Sequence, residues 1–249
     1  MNRLLYALHK WISAIAFVQL AVWTVSGATF AWIAQESIRS KPADGAHEAA
    51  LEPPVVTVRD AMDAASDTVG PVRRVELRGT PGGPFYVVKG AARTARVDAR
   101  TGRLAPVEAE EATAIARRDQ PSAPPARRVE LVSGEPTLEY RDCEPAECSL
   151  PAYRVALDDA AGTVIYVDAV TGDVTARRND MWRTYDFFWS LHIMDYRARE
   201  DFNHWLIRGA SLLAVATVAS GIALLVLRAT RWVRRRLGRA STTEGVSRA

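Results

Sequence analysis

Charge is absent from two stretches of this chain, and the residues between them follow a different period. Trp11–Gln35, WISAIAFVQLAVWTVSGATFAWIAQ, carries no Asp, Glu, Lys or Arg, and neither does Gly209–Leu227, GASLLAVATVASGIALLVL. At about 1.5 Å of rise per residue, the first outspans the roughly 30 Å hydrocarbon layer of a bilayer and the second just crosses it. Both predict transmembrane helices. A cleavable signal peptide is the competing reading of the first, with Asn2-Arg3 opening a short basic region and Ser26-Gly27-Ala28 as a loose cleavage site. The apolar run is well beyond the roughly 7–15 residues of a signal-peptide core, which favours the span.

Between these runs the pattern repeats itself. RRVEL occurs at Arg73–Leu77 and again at Arg127–Leu131, and VDARTGRL from Val97 is echoed by VDAVTGDV from Val167. Each RRVEL follows an Ala-rich, charge-flanked stretch, TVRDAMDAASDTVG or VEAEEATAIARRDQ, that predicts a solvent-facing helix. Alternating segments then predict strands: FYVVKG and TARVDA in the first copy, YRVALD and TVIYVDA in the second. The predicted unit is helix, strand, strand, strand. The landmarks lie about 16 residues further apart in the second copy, and LEYRDCEPAECSLPAY is the natural place for that excess, as an insertion at a hairpin tip.

Charge changes the picture at the ends. Arg3 and Lys10 precede the first apolar run, and Arg228, Arg231, Arg234, Arg235, Arg236 and Arg239 follow the second, so the positive-inside bias puts both termini in the cytoplasm. The middle is then external, and its own arginines do not oppose this because long translocated loops escape the rule. The net charge of +3 comes largely from the tail LRATRWVRRRLGR, which suits anionic lipid headgroups, and no nucleic-acid module is apparent.

Candidate chemistry in the middle is sparse. Cys143 and Cys148, in CEPAEC, are the only cysteines and predict a small-loop disulfide in an oxidising compartment; two ligands without a nearby partner pair do not complete a zinc site. Asp98 and Asp168 open the sequence D-A-x-T-G, where Asp and Thr side chains bond neighbouring backbone and Gly102 and Gly172 take turn conformations, so both are expected to serve turns and not catalysis. Glu108, Glu110 and Glu111 read as a solvated helix face. No glycine-rich nucleotide fingerprint, nucleophile with a base, phosphate loop or zinc helix is present.

With these residues in view the chain resembles a known family. The VDAxTGx ending after a helix and antiparallel strands looks like the PepSY domain, and two copies between membrane spans look like the PepSY-associated transmembrane family. LHKWISAI at Leu8–Ile15, Ser26-Gly27, Ser220-Gly221 and WSLH at Trp189–His192 are similar to that family's span motifs. The implied fold is an α+β membrane protein with two transmembrane helices flanking a periplasmic region of two PepSY-like repeats. The implied segments are a cytoplasmic N-terminus (1–10), a first span (11–35), a linker (36–55), repeat 1 (56–106), repeat 2 with the Cys insertion (107–178), an amphipathic aromatic interfacial segment (179–204), a second span (205–227) and a basic cytoplasmic tail (228–249). The implied location is the bacterial inner membrane.

Larger relatives of that family, with four or more spans, include ferric-siderophore reductases and iron-uptake factors that hold b-type haem between helices. The resemblance therefore implies haem b, with His9, His192 and His204 as candidate iron ligands and Arg208 as a cation for a haem propionate. His9 shares a stripe of the first helix with Ser13, Ala16, Leu20, Thr24 and Gly27, a small and polar face that a partner helix or a flat ring approaches closely; snorkelling beside Lys10 is the alternative. Trp182, Tyr185, Trp189, His192 and Tyr196 share one face of a helix if MWRTYDFFWSLHIMDY is helical, which predicts an aromatic surface along the headgroups. His204 sits one turn before Arg208 at the mouth of the second span, though the small-residue stripe Ala210, Ala214, Thr217 and Gly221 points away from it. His47 lies in the linker and is expected to be solvated.

His9 and the pair His192 and His204 fall at opposite ends of a span, so one haem does not bridge them within a chain. Each level then needs a second ligand, most simply from a homodimer mate, although His192 and His204 of one chain could also share a site. Two functions follow from different classes: a haem-binding component or accessory subunit of a ferric reductase-type oxidoreductase, passing electrons to a periplasmic iron complex or protein, or a tethered periplasmic module that binds a protein such as a peptidase without redox activity.

Overall fold

The computed structural model describes residues 2–38, 51–120, 122, 124–134, 148–197, 199 and 201–246. They form two compact units, a helical one from Met1–Trp32 and Tyr185–Ala249 and an α+β one from Ile33–Thr184.

The helical unit is built on α1 (Asn2–Trp32) and α6 (Trp205–Val246), both long and apolar enough to cross a membrane. Their outward faces keep large apolar side chains bare, with Trp11 66% and Leu212 71% exposed, as helices compatible with a lipid surrounding do. Both helices run past the predicted spans. α1 is already helical through the N-terminal basic residues and stops at Trp32, short of Gln35, and α6 continues through the arginine-rich segment without a break. The four-residue α2 (Gln35–Ile38) belongs to the other unit.

In the α+β unit the repeat becomes two sheets. The first copy is α3 (Val58–Val69), β1 (Val72–Thr80), β2 (Gly83–Gly90) and β3 (Thr94–Asp98), with strand order β1-β2-β3. The second is α4 (Ala109–Asp119), β4 (Ala126–Val132), β5 (Ala152–Leu157), β6 (Val164–Asp168) and β7 (Val174–Arg178), with strand order β4-β5-β6-β7. All pairings are antiparallel. The repeat extends to irregularities: β1 is bulged between Val72 and Arg74, and β4 at the equivalent place between Ala126 and Arg128. Val132 pairs with Ala152, so the extra residues of the second copy do lie between β4 and β5. Cys148 is buried there and disulfide-bonded; Cys143 lies outside the described residues.

The second sheet has a fourth strand that the repeat does not predict. In the first copy the chain after the TG turn makes only an isolated bridge from Leu104 to Val97 before Pro106, which has no N–H to extend a ladder. In the second copy the same position continues as VTARR and pairs with β6.

The helices lie on their sheets with one face buried and the other toward solvent. α3 opens with a capping box, the Thr57 hydroxyl accepting from the Asp60 N–H and the Asp60 carboxylate accepting from the Thr57 N–H. Ala61, Ala65 and Val69, spaced four apart, are fully buried against Tyr86, Val88 and Val97. The approach is so close that a Cβ on Gly90 would stand 2.1 Å from the Val69 carbonyl oxygen. The D-A-x-T-G turns match expectation: Asp98 accepts from the N–H groups of Arg100 and Thr101, Asp168 from those of Val170 and Thr171, and Gly102 and Gly172 sit at φ of +73° and +78°.

Glu111 departs from expectation, because it is not on a solvated face. Its carboxylate takes 2.8 and 2.6 Å hydrogen bonds from the Arg96 guanidinium on β3 and another from the Thr80 hydroxyl on β1, tying α4 of one repeat to the sheet of the other. Arg96, only 6% exposed, also lies 4.0 Å over the Phe85 ring. Burial pushes the Glu111 carboxyl up, but the hydrogen bonds from Arg96 and Thr80 and the guanidinium charge outweigh it and leave the group below its ordinary range. This contribution to stability is present above the carboxylate range, near pH 4.3, and is lost as pH falls through the lowered folded value. Glu111→Gln is expected to cost on the order of 3 kcal/mol at pH 7 by stranding Arg96. Thermal unfolding of the full-length protein followed by circular dichroism should show the gap from wild type narrowing as pH falls toward 3.

Candidate functional site

The covered face of α1 contains His9, Ser13, Ala16, Leu20 and Gly27 of the predicted stripe, with Ala16 only 3% exposed. Thr24 does not belong to it: that residue is exposed and its hydroxyl donates to the Leu20 carbonyl at 2.8 Å. On α6 the small residues Ala210, Ala214, Thr217 and Gly221 are half-buried, as a close helix contact requires.

At one end of this pair His9 is joined to α6 and does not snorkel. Its Nδ1 is 2.8 Å from Ser220 Oγ, and Ser13 Oγ is a weaker neighbour of both ring nitrogens, 3.4 Å from Nδ1 and 3.5 Å from Nε2. Gly221 makes room for the ring, since a Cβ there would meet His9 Cε1 at 3.3 Å. The imidazole lines a cavity of about 490 Å³ together with Tyr6, Gly221, Leu224, Arg228 and Arg231. A histidine, apolar side chains and two arginines therefore line one space.

At the other end α5 (Asp180–Ile193) delivers His192 to α1. Its Nδ1 is 2.7 Å from Ser26 Oγ, and Ser26 is fully buried. The Trp23 indole N–H donates to the His192 carbonyl at 2.7 Å, satisfying one of the carbonyls that a helix end leaves open. Phe30 packs on the same cluster, with its ring 4.8 Å from Tyr185 and 5.4 Å from His192. Burial holds the His192 imidazole below its ordinary pKa.

The predicted aromatic face is correspondingly altered. α5 ends at Ile193, Met194 takes φ of +60°, and Tyr196 lies beyond the helix and exposed. Tyr185 and Trp189 stack against each other beside Phe30, which makes them packing for α1 and not a surface for headgroups. The chain then doubles back: Arg199, at φ of +61°, pairs with the buried Asp186 while its carbonyl accepts from the Trp189 indole at 3.0 Å.

His204 reaches the same end as His192, but its chemistry differs. Its Nε2 is 3.0 Å from the Ile193 carbonyl, which only accepts, so Nε2 carries the proton and caps the end of α5. That leaves the crowded Nδ1 alone for a metal. Arg208 donates its side chain to Asn203 at 3.0 Å and its backbone N–H to the His204 carbonyl. His47 lies outside the described residues.

The 17 residue steps from His9 to Ser26 place the two imidazole sites about 25 Å apart along α1. Among the described residues no three His, Cys, Asp or Glu side chains converge on one point. Sequence reasoning found both histidines but missed what holds them: Ser26, Ser220 and Trp23. The available signal was chemical, since a hydroxyl inside a charge-free run must find a partner. No match to this chain is found among protein-family models, curated proteins or solved structures.

The Trp23 indole is thus a fixed peg under the last turn of α5. Trp23→Phe is expected to loosen that turn by about 1 kcal/mol, read as roughly fivefold faster amide exchange in the segment 189–196 of the detergent-solubilised protein.

Proposed function

We propose that this chain is a PepSY-type inner-membrane electron carrier that binds haem b as a homodimer and serves the reduction of a periplasmic iron complex or partner protein. The observation that carries this reading is the pair of part-buried imidazoles at opposite ends of α1, the first beside a cavity with two arginines. The donor set fits the group. Imidazole is a haem ligand, Arg228 and Arg231 suit two propionates, and Gly221 leaves room for the His9 ring beside the cavity. When bound, haem supplies one-electron exchange between ferric and ferrous iron.

The chain's own part is to place one imidazole at each level and to keep water from it. Among the described residues no group of metal-ligating side chains converges at either level, and in this reading a two-fold mate supplies a second imidazole at each, turning two spans into a four-helix bundle. With both termini cytoplasmic, His9 marks the inner level and His192 the outer. The arginines that continue α6 hold it to anionic lipid. No nucleotide fingerprint is present in the sequence, so the electron donor is another molecule.

A second reading, a tethered module that grips a protein, draws on the α+β unit. A cavity of about 520 Å³ there is lined by Phe85, Arg96, Glu108 and Glu110 among others. The two readings separate on pigment. Protein purified after haem-replete expression is expected to show a Soret band that sharpens and shifts with dithionite. His9→Ala and His192→Ala should each remove about half of the pigment, one level of two. A colourless wild type would end the redox reading in favour of the binding module.

A further inference from the structure

Two serines in apolar helices make the same contact at opposite ends of the helix pair, and a hydroxyl has only one proton to give. Ser26 Oγ lies 2.8 Å from the carbonyl oxygen of Val22 and 2.7 Å from His192 Nδ1. The carbonyl only accepts, and two oxygens at 2.8 Å with no proton between them repel, so the hydroxyl hydrogen lies on the Val22 side. His192 Nδ1 must then be the donor to Ser26 Oγ. Ser26 has no exposed surface, so water offers no alternative arrangement.

Ser220 repeats the device with the helices exchanged. Its Oγ donates to the Thr217 carbonyl at 3.0 Å and stands 2.8 Å from His9 Nδ1. α1 therefore supplies the histidine at one end and the serine at the other. Thr24, Thr29 and Thr217 likewise donate their hydroxyls to backbone, to carbonyls four residues back at 2.8, 2.9 and 2.8 Å, so such a bond is common for a hydroxyl in these helices.

We propose that Ser26 and Ser220 are positioning residues that lock His192 and His9 in the Nδ1–H tautomer and so leave each Nε2 lone pair as the one that would bind iron. The inference rests on the haem reading above but concerns the protein's own protons. An imidazole bonds a metal only through an unprotonated nitrogen, and its other N–H, held by an acceptor, orients the ring and raises its basicity. A serine already committed to a backbone carbonyl is such an acceptor. It also explains why His204 is unlike the other two: a carbonyl at its Nε2 fixes the opposite tautomer.

The test is ¹⁵N NMR of the full-length chain labelled at histidine and prepared under haem limitation, with signals assigned by single histidine replacements. Wild type is expected to show His9 and His192 as Nδ1–H. Ser26→Ala should move His192 alone toward the Nε2–H form, Ser220→Ala should move His9 alone, and Ser26→Thr should restore the wild-type signal. In haem-loaded protein the alanine variants should weaken binding at the affected level by about 10- to 100-fold. If Ser26→Ala leaves His192 in its wild-type tautomer, the inference is overturned even though pigment remains. If the wild type carries no haem while the tautomers shift as stated, the haem reading fails and the serines' control of the tautomer stands.

Discussion

A polar ring carried on an apolar helix has to find its hydrogen bond inside the protein, and the helical unit is organised around that requirement. His9 and His192 each meet it with a serine of a neighbouring helix, at 2.8 and 2.7 Å. Contacts of this kind between helices are worth roughly 1 kcal/mol each, which is modest in energy but demanding in geometry. Two of them about 25 Å apart along α1 fix how its neighbours are rotated about their axes. Gly221 and Ala16 follow from the same constraint, since the rings and helices meet only where side chains are small.

The α+β unit meets a different requirement with similar means. Its two small sheets have limited cores of their own, each filled by one helix whose alanines allow close approach. They are joined by charge as much as by apolar contact. Arg96 and Glu111 link the repeats across α4, and Arg78 reaches Asp173 at 2.6 Å. Because Arg96 is almost wholly buried, this pairing is sensitive to the loss of either member.

Much of this was legible in the sequence because it rests on period and on local chemistry. The repeated RRVEL and VDAxTG landmarks mark equivalent strands, down to the bulge at Val72 and Ala126, and the charge-free runs mark the two long helices. Contacts between distant segments were not legible. Glu111 looks solvated beside Glu108 and Glu110 until Arg96, fifteen residues away, is folded against it. β7 depends on whether the chain after a turn meets a proline or an alternating run. His204 looked like a ligand because Arg208 is near in sequence, whereas the deciding partner is the Ile193 carbonyl, made available by the end of α5. Ser26 and Ser220 were visible as residues but not as partners, since pairing α1 with α5 and α6 requires the fold.

In the proposed reading each chain brings one imidazole to each of two levels and a second chain completes both. Native mass spectrometry of the protein released from detergent after haem-replete expression measures chain number and bound haem together. The account predicts a dimer carrying two haem groups, one per level. A monomer without haem, or a dimer that carries none, would contradict it.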